Sequence, residues 1–599
     1  MFLEVVVPGP WWHTLTYEFD RVCSRGARLR VPVGRGVRVA FATGSSSMER
    51  PFGEYRVLSA LEAIDDRSPL GWELFNTSEK IGKHFLCGFG EALKAVAPAS
   101  VISGKSFEGL PEMDGPRGDF NEERCDSPDF SARSDRYLEV IESSRGGVLA
   151  LFPDRSAASA FWKKLPEKHK KDSLLWLSAP GPASDSRWER VRRGNFRLVV
   201  GSPAALFAPL TSVSAVIVED EGNPSYLSRR FPFIHARSAA GSRAQSWGAT
   251  LVTGGGVPSS RSFFRMPREC PREATGRMVF VDMGMARKIS VRGIQSPLLV
   301  SDSALKRTQA EVSGGRPVLW ILDRKGYAGA VICSECGRMI VCPSCGLPVR
   351  WDDKEEALVC GFCGKKTALA EVCPFCGAIS LQGMKPGLES LRHIGENVLG
   401  DSCPVYIWHA DIRQTVSARK DLVKGLASGG LVVGSRKAIE LCDHLEIGLV
   451  CWLDADMAVN TPFYDARSRA FRMVWESAWR GKGNSFRTVL IQSRVPGSGW
   501  QKGLAAGWDH FWRAELMERK ELGLPPWRYL VEIRGLKGMK AETRDLLATS
   551  GIECLDPDPL EDMLWARSGN LSRVRKALAP LFHISRSGRG FPRIEVWAD

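Results

Sequence analysis

The sequence predicts a multidomain α/β protein built on two doubly wound lobes, and three observations carry that expectation. Apolar runs of strand length, without polar alternation, recur at helix-length spacing in two series. Such runs fit the strands of a parallel sheet covered on both faces. A block of eight cysteines interrupts the second series just after its first strand, and short alternating runs precede the first series. A chain of 599 residues also exceeds what one hydrophobic core can organise, so three or more domains are expected.

Residues 1–62 alternate apolar and polar residues, as in Leu3–Val7 and Arg28–Val33, with glycine turns at Gly34 and Gly36. They predict a small β domain. The pattern over 63–111 is helical, with Glu91 to Val96 as one clear piece, and suggests a helical or winged-helix-like module. Residues 112–136 are rich in Asp, Glu, Arg, Ser, Pro and Gly and are expected to be a linker. The first lobe is expected over 137–310, with strands at Gly147–Pro153, Leu198–Gly201, Ala215–Val218 and Ala249–Val252. The second lobe, over 311–330 and 378–524, has strands at Val318–Leu322, Val405–Trp408, Leu431–Val433, Gly448–Leu453 and Val489–Ile491. Residues 525–599, opened by Pro525-Pro526, mix short strands and helices and predict an α+β domain.

The insert, 331–377, carries four Cys-x-x-Cys pairs: Cys333/Cys336, Cys342/Cys345, Cys360/Cys363 and Cys373/Cys376. A two-residue gap lets both thiolates of a tight turn face one ion, and zinc takes four such ligands, so four pairs make two closed sites. Gly337, Gly346, Gly364 and Gly377 each follow the second cysteine of a pair, where the turn needs an unhindered backbone. Disulfides and redox chemistry are the alternatives. Nothing in the sequence looks secreted, and redox work needs only one reactive pair, so two structural Zn²⁺ ions are expected. Spacing alone permits either sequential or interleaved pairing of the four turns.

Lys plus Arg number 82 against 68 Asp plus Glu, a formal charge of +14. That surplus favours a polyanionic partner, and 19 tryptophans could add stacking surface. The N-terminus, with Glu4 and Pro8, reads as a strand rather than a signal peptide. No apolar run reaches the length of a membrane span, so no membrane partner and a cytoplasmic location are expected.

With lobes and insert in place, the chain resembles the PriA family of primosomal replication-restart DNA helicases. The residues that carry the likeness are Asp323–Ala328 leading into Cys333, the four cysteine pairs, Pro386-Gly387, Leu453–Asp456, Leu490–Gln492 and Glu515–Pro526. In the first lobe Val199–Ser202, Phe207–Pro209 and His235–Arg237 also match. The resemblance implies RecA-like helicase lobes and an interleaved cage: Cys333, Cys336, Cys373 and Cys376 on one zinc, Cys342, Cys345, Cys360 and Cys363 on the other.

It also locates a motor that looks dismantled. A helicase needs a glycine-rich loop around the nucleotide phosphates, then a lysine and a hydroxyl. The resemblance lays Asp129–Ser134 over that loop, with Phe130 and Ala132 in the glycine positions, Arg133 for the lysine and Ser134 keeping the hydroxyl. A ring at Phe130 obstructs close approach of backbone to phosphate, and a guanidinium is a poor substitute for a compact ammonium there. The family's Asp-Glu-Glu-His becomes Glu219-Asp220-Glu221-Gly222, and the coupling motif becomes Thr253–Pro258. Of two motor arginines only Arg480 survives, Gly483 replacing the second, where an arginine finger is worth about 10³ to 10⁵ in phosphoryl transfer. ATP and Mg²⁺ are therefore doubtful cofactors, and no catalytic residue is assigned. Gly104-Lys105-Ser106 imitates the end of a phosphate loop, but Ala99 stands where its first glycine belongs.

For DNA, basic and aromatic residues cluster at Phe161–Lys164, at Arg187, Trp188, Arg190, Arg192 and Arg193, and at Arg229, Arg230, Phe231, His235 and Arg237. The resemblance adds a pocket for a nascent 3′ end near Leu15, Thr16, Gly34 and Arg56. The leading expectation is a protein that binds stalled or branched forks and helps reload the replicative helicase without unwinding DNA itself. Its expected partners are forked DNA, the replicative helicase and its loader, and single-stranded-DNA-binding protein. An active 3′-to-5′ helicase and a zinc-stabilised interaction scaffold are the alternatives.

Overall fold

The computed structural model describes residues 1–49, 57–116, 118–177, 182–271, 277–284, 288–291, 294–297, 300–322, 331–333, 335–336, 338–344, 346, 349–352, 355–360, 363–379, 381–383, 387–400, 403–409, 416–459, 463–556, 561–586 and 590–599. Arg56, Asp323–Ala328, Gly337, Cys345 and Pro386 lie outside the described residues. Two compact units contain the chain: residues 1–127, 131–268 and 515–599 form one, and 128–130 with 269–514 form the other.

In the first unit, the N-terminal sheet has strands β1 (Phe2–Val6), β2 (Leu15–Glu18), β3 (Arg28–Val33), β4 (Gly36–Ser47), β5 (Leu58–Ser59) and β6 (Glu62–Ala63), ordered β5-β2-β1-β4-β3-β6. Period-two alternation sends Leu3, Val5, Leu29, Val31, Ala40 and Ala42 into one core. The β3–β4 hairpin turns at Gly34, whose φ of +60° suits glycine. Three helices follow: α1 (Gly71–His84), α2 (Phe89–Val96) and α3 (Ala99–Ile102). The described residues between 64 and 120 contain no strand, so this module is helical and lacks a wing.

The expected linker over 112–136 is instead structured. It holds strand β7 (Asn121–Cys125) and the start of helix α4 (Phe130–Ser143). Asn-Glu-Glu-Arg-Cys has no apolar run because β7 is an edge strand, pairing among the described residues only with β12 (Thr250–Gly254), and its charged side chains are met by ion pairs, Arg124 with Asp126 and Glu122 with Arg265. The other strands are β8 (Val148–Leu151), β9 (Ser173–Trp176), β10 (Leu198–Gly201) and β11 (Ala215–Val218). The parallel order is β7-β12-β11-β8-β10-β9. Every residue of β8, β10 and β11 is buried, as their unbroken apolar runs require.

Residues 529–599 add a four-stranded sheet, ordered Glu553–Leu555, Met563–Ser568, Tyr529–Arg534, Arg593–Trp597, with helices Lys540–Thr549 and Leu571–Leu578. This is the expected α+β domain. Leu86, in a left-handed conformation at φ +50°, is buried in its core.

In the second unit, a parallel sheet runs Met278–Asp282, Thr488–Ser493, Leu449–Trp452, Pro317–Ile321, Gly430–Gly434, Val405–Trp408. Met278–Asp282 therefore belongs to the second lobe and not to the first, whose expected end at 310 is too late. Its partner lies some two hundred residues along the chain, a pairing no local pattern reveals. Leu490–Gln492 and Leu453–Asp456 are internal ties: Gln492 donates to Leu453 O and accepts from Ser301 N–H, and Asp456 accepts from Ser493 Oγ and Arg494 N–H.

Candidate functional site

Doubly wound sheets take ligands beyond the carboxyl ends of their strands. In the first lobe that ground is filled from within. Only four residues, Asp126–Asp129, separate β7 from α4, which already begins at Phe130. Arg133, one turn into α4, is 7% exposed and lies against Glu219, the residue after β11. Arg133 Nε is 3.0 Å from Oε2 and Nη2 is 2.6 Å from Oε1, a bidentate clamp, while Nη1 donates to Ser127 O. Burial alone would favour losing the arginine proton; the Glu219 carboxylate overrides it and holds the guanidinium charged.

Tyr137, one further turn along α4 and fully buried, donates its hydroxyl to Glu219 Oε2 at 2.5 Å. Gly254 makes room for it, since a Cβ there would stand 1.7 Å from the Tyr137 oxygen. Ser134 is wholly buried in the same helix. Asp220 takes a left-handed φ of +47°, and Asn223 Nδ2 donates to its carboxylate at 2.7 Å.

Glu221 closes a second set. It is fully buried and accepts from Arg237 Nη1 and Ser259 N–H, each at 2.7 Å, with Arg124 Nη1 at 3.6 Å. Arg237 also reaches Asp599 Oδ2 at 2.5 Å. Burial would raise the Glu221 pKa, but Arg237 and Arg124 hold it well below the carboxylate range. Arg237 thus faces inward, where two carboxylates hold it at 7% exposure. In the second unit Arg480 is likewise held, with Asp443 and Glu476 at 2.7 Å.

The insert has the opposite construction. The Sγ atoms of Cys333, Cys336, Cys373 and Cys376 all lie within 4.8 Å of one another, as do those of Cys342, Cys360 and Cys363. Cys333 and Cys376 are 3.6 Å apart and Cys342 and Cys363 also 3.6 Å, so the first and last turns meet and the middle turns meet. Gly346, Gly364 and Gly377 donate N–H to the first cysteine of their turns with φ near +70° and no atom within 4 Å of an added Cβ. The antiparallel pair Val331–Cys333 and Leu381–Gly383 forms the stem. Four thiols at such separation fit a tetrahedral soft cation, for which zinc is the natural candidate. Both clusters could hold a metal.

A family model for a 3′ DNA-binding domain matches residues 4–98. Proteins named replication restart protein PriA are similar over most of the chain. That of Bacillus subtilis is 23% identical over 416 residues, 67% of this chain and 51% of its own length. That of Thermotoga maritima is 25% identical, covering 70% and 58%, and that of Treponema pallidum 23%, covering 88% and 86%. The chain is similar to PriA proteins over most of its length, and the 3′ DNA-binding domain model covers its N-terminal part. The chain spans between about half and six-sevenths of the length of these three PriA proteins. Among solved structures, the DUF1998 helicase MrfA bound to DNA and AMPPNP aligns with 65% of this chain and 47% of its own at 10% identity and a TM-score of 0.36.

The sites expected to touch DNA divide. Leu15 and Thr16 lie on β2 opposite Val5 and Glu4, and Gly34 stands open at its turn. Arg229 and Arg230 are exposed. Phe161, Trp188 and Arg192 are core residues, Arg192 donating to Pro69 O and Pro111 O. His235 is mostly enclosed beside Asp599 at 3.8 Å. Trp162 is bound to Ser173 Oγ with Lys170 over its ring. Sequence reasoning missed Tyr137, Arg124, Ser259 and Asp599 as parts of the filled cradle. Tyr137 and Gly254 both stand beside motif residues, but only three-dimensional packing pairs them.

Proposed function

We propose that the chain binds branched DNA at stalled forks and promotes reloading of the replicative helicase, without running an ATP motor of its own. The PriA resemblance supports the first part, and the family model over 4–98 supports a grip on DNA 3′ ends by the N-terminal domain. The observation that carries the second part is the Arg133–Glu219 clamp. The cation expected to meet triphosphate and the acid expected to meet magnesium are consumed by each other, in a buried setting where neither is released cheaply. The two cysteine cages hold structural Zn²⁺: Cys333, Cys336, Cys373 and Cys376 take one ion, and Cys342, Cys360, Cys363 and Cys345 the other. Bound zinc would supply a cross-link that a segment with so small a core needs in order to fold.

In this reading the lobes act as a scaffold, and the surplus of positive charge draws in the fork. The test mixes purified protein with ATP, Mg²⁺ and forked DNA and follows phosphate release beside fork binding over a salt series. Binding that weakens steeply with salt, with phosphate release no faster than in protein-free controls, is the expected result. Fork-stimulated turnover would restore the helicase alternative, and salt-insensitive or absent fork binding would remove the DNA reading.

A further inference from the structure

Outside the cradle and the cages, the first unit presents an exposed aromatic pair framed by cations. Phe264, on the short helix Ser260–Arg265, meets Trp527 edge to face with centroids 4.5 Å apart, and each residue is 38% exposed. Large aromatics are normally covered, so two together on a surface call for a ligand. Lys520 Nζ lies 5.1 Å from the Trp527 ring centre. Arg261, one turn before Phe264, lies over Tyr529 at 5.8 Å, and Tyr529 is two residues beyond Trp527. Beside them a cavity of about 300 Å³ is lined by Lys80, His84, Arg261 and Arg265 together with the rings of Phe85 and Phe120.

We infer that the Phe264–Trp527 pair is a stacking platform for unpaired bases of single-stranded nucleic acid, with Lys520, Arg261, Lys80 and Arg265 taking the phosphates. Non-sequence-specific single-strand sites combine such a basic track with exposed rings, because every base has a π face and every linkage a charge. Trp527 is anchored through its edge. Its Nε1 donates to Leu516 O at 3.1 Å, which holds the ring plane, with Lys520 over the ring. Arg265 is paired with Glu122 at 2.8 Å but half-exposed, so a phosphate can share it. An acidic peptide would use the cations and gain less from the rings. This platform rests on the reading of the chain as a DNA binder and adds to it a site outside residues 4–98.

The experiment titrates the full chain against fluorescent dT20, against an abasic 20-mer with the same phosphates, and against a fork with a recessed 3′ end, while a labelled hexaglutamate peptide serves as a second anion. Stacking is worth about 1–3 kcal/mol per base, so Trp527→Ala should weaken dT20 about 5- to 150-fold and leave the abasic strand within about two-fold. Trp527→Phe should restore most of the loss, which guards against misfolding, and Phe264→Ser should repeat it more weakly. Lys520→Gln should instead lower the salt slope by about 0.7, one single-strand phosphate. Fork binding with unchanged dT20 affinity in Trp527→Ala overturns the platform and leaves the DNA reading standing. Equal binding of abasic and intact strands overturns it too, as does hexaglutamate binding that is lost in Trp527→Ala. Failure to bind either fork or dT20 overturns both.

Discussion

The insert and the first lobe each gather groups built to receive a cation, yet they end in opposite states. In the insert, like groups converge: four thiols lie within 4.8 Å of one another and could hold a metal ion. In the lobe, unlike groups converge: Arg133 closes on Glu219, and Arg237 on Glu221 and Asp599, so charges that could face MgATP are neutralised internally. A buried carboxylate is tolerable only where a cation meets it, and here the cation comes from the chain.

The largest effect expected is on the cages. Structural zinc is worth about 10–16 kcal/mol of apparent binding energy, so chelation should unfold residues 331–383, seen as rapid amide exchange there with 1–49 still protected. Metal analysis should find about two zincs per chain, and Cys342→Ser should lose one. Uniform loss of protection would erase the contrast between the regions.

Next comes the clamp. Removing one partner of a buried pair costs about 3–5 kcal/mol, so Arg133→Ala or Glu219→Ala should lower stability by that much in urea unfolding. Replacing both, Arg133→Met with Glu219→Leu, should recover most of it, since a hydrophobic pair of similar volume is nearly neutral. A double variant as unstable as the singles would show that the pair is not what fills the cradle.

A smaller effect is expected from acid. The pKa values of Glu221 and Asp599 are depressed in the folded chain, burial being outweighed by Arg237 and its neighbours. The unfolded chain therefore binds more protons as pH drops, and stability rises with pH. Their contribution is complete above the unfolded carboxylate range, about pH 4, and is lost as pH falls through the folded values. Glu221→Gln should flatten the acid limb of a stability–pH profile, and a cage-cysteine variant should not. Smallest is Tyr137→Phe, which removes one hydrogen bond to a carboxylate and should cost about 1.5–3 kcal/mol, read as a shift in urea midpoint.

Much of this was legible in the sequence, and the limits have physical causes. Fully buried strands such as Ala215–Val218 announce themselves because both faces must be apolar. β7 does not, because an edge strand may be polar, and it hid inside an apparent linker. The cages were readable because a two-residue spacing is a local geometry. Phe130 and Ala132 stand where the resemblance expects glycines, but nothing local shows that Arg133 folds back onto a carboxylate 86 residues away. The same limit hid the burial of Arg237 and Trp188, since a basic or aromatic cluster looks alike on a surface and in a core.

Whether the chain's own ion pairs fill the triphosphate cradle is decided by an equilibrium titration of MgATP against the full-length protein, followed calorimetrically. No saturable heat up to millimolar nucleotide is predicted. A saturable isotherm of one site per chain, abolished by Arg133→Ala in protein that remains folded, would contradict it.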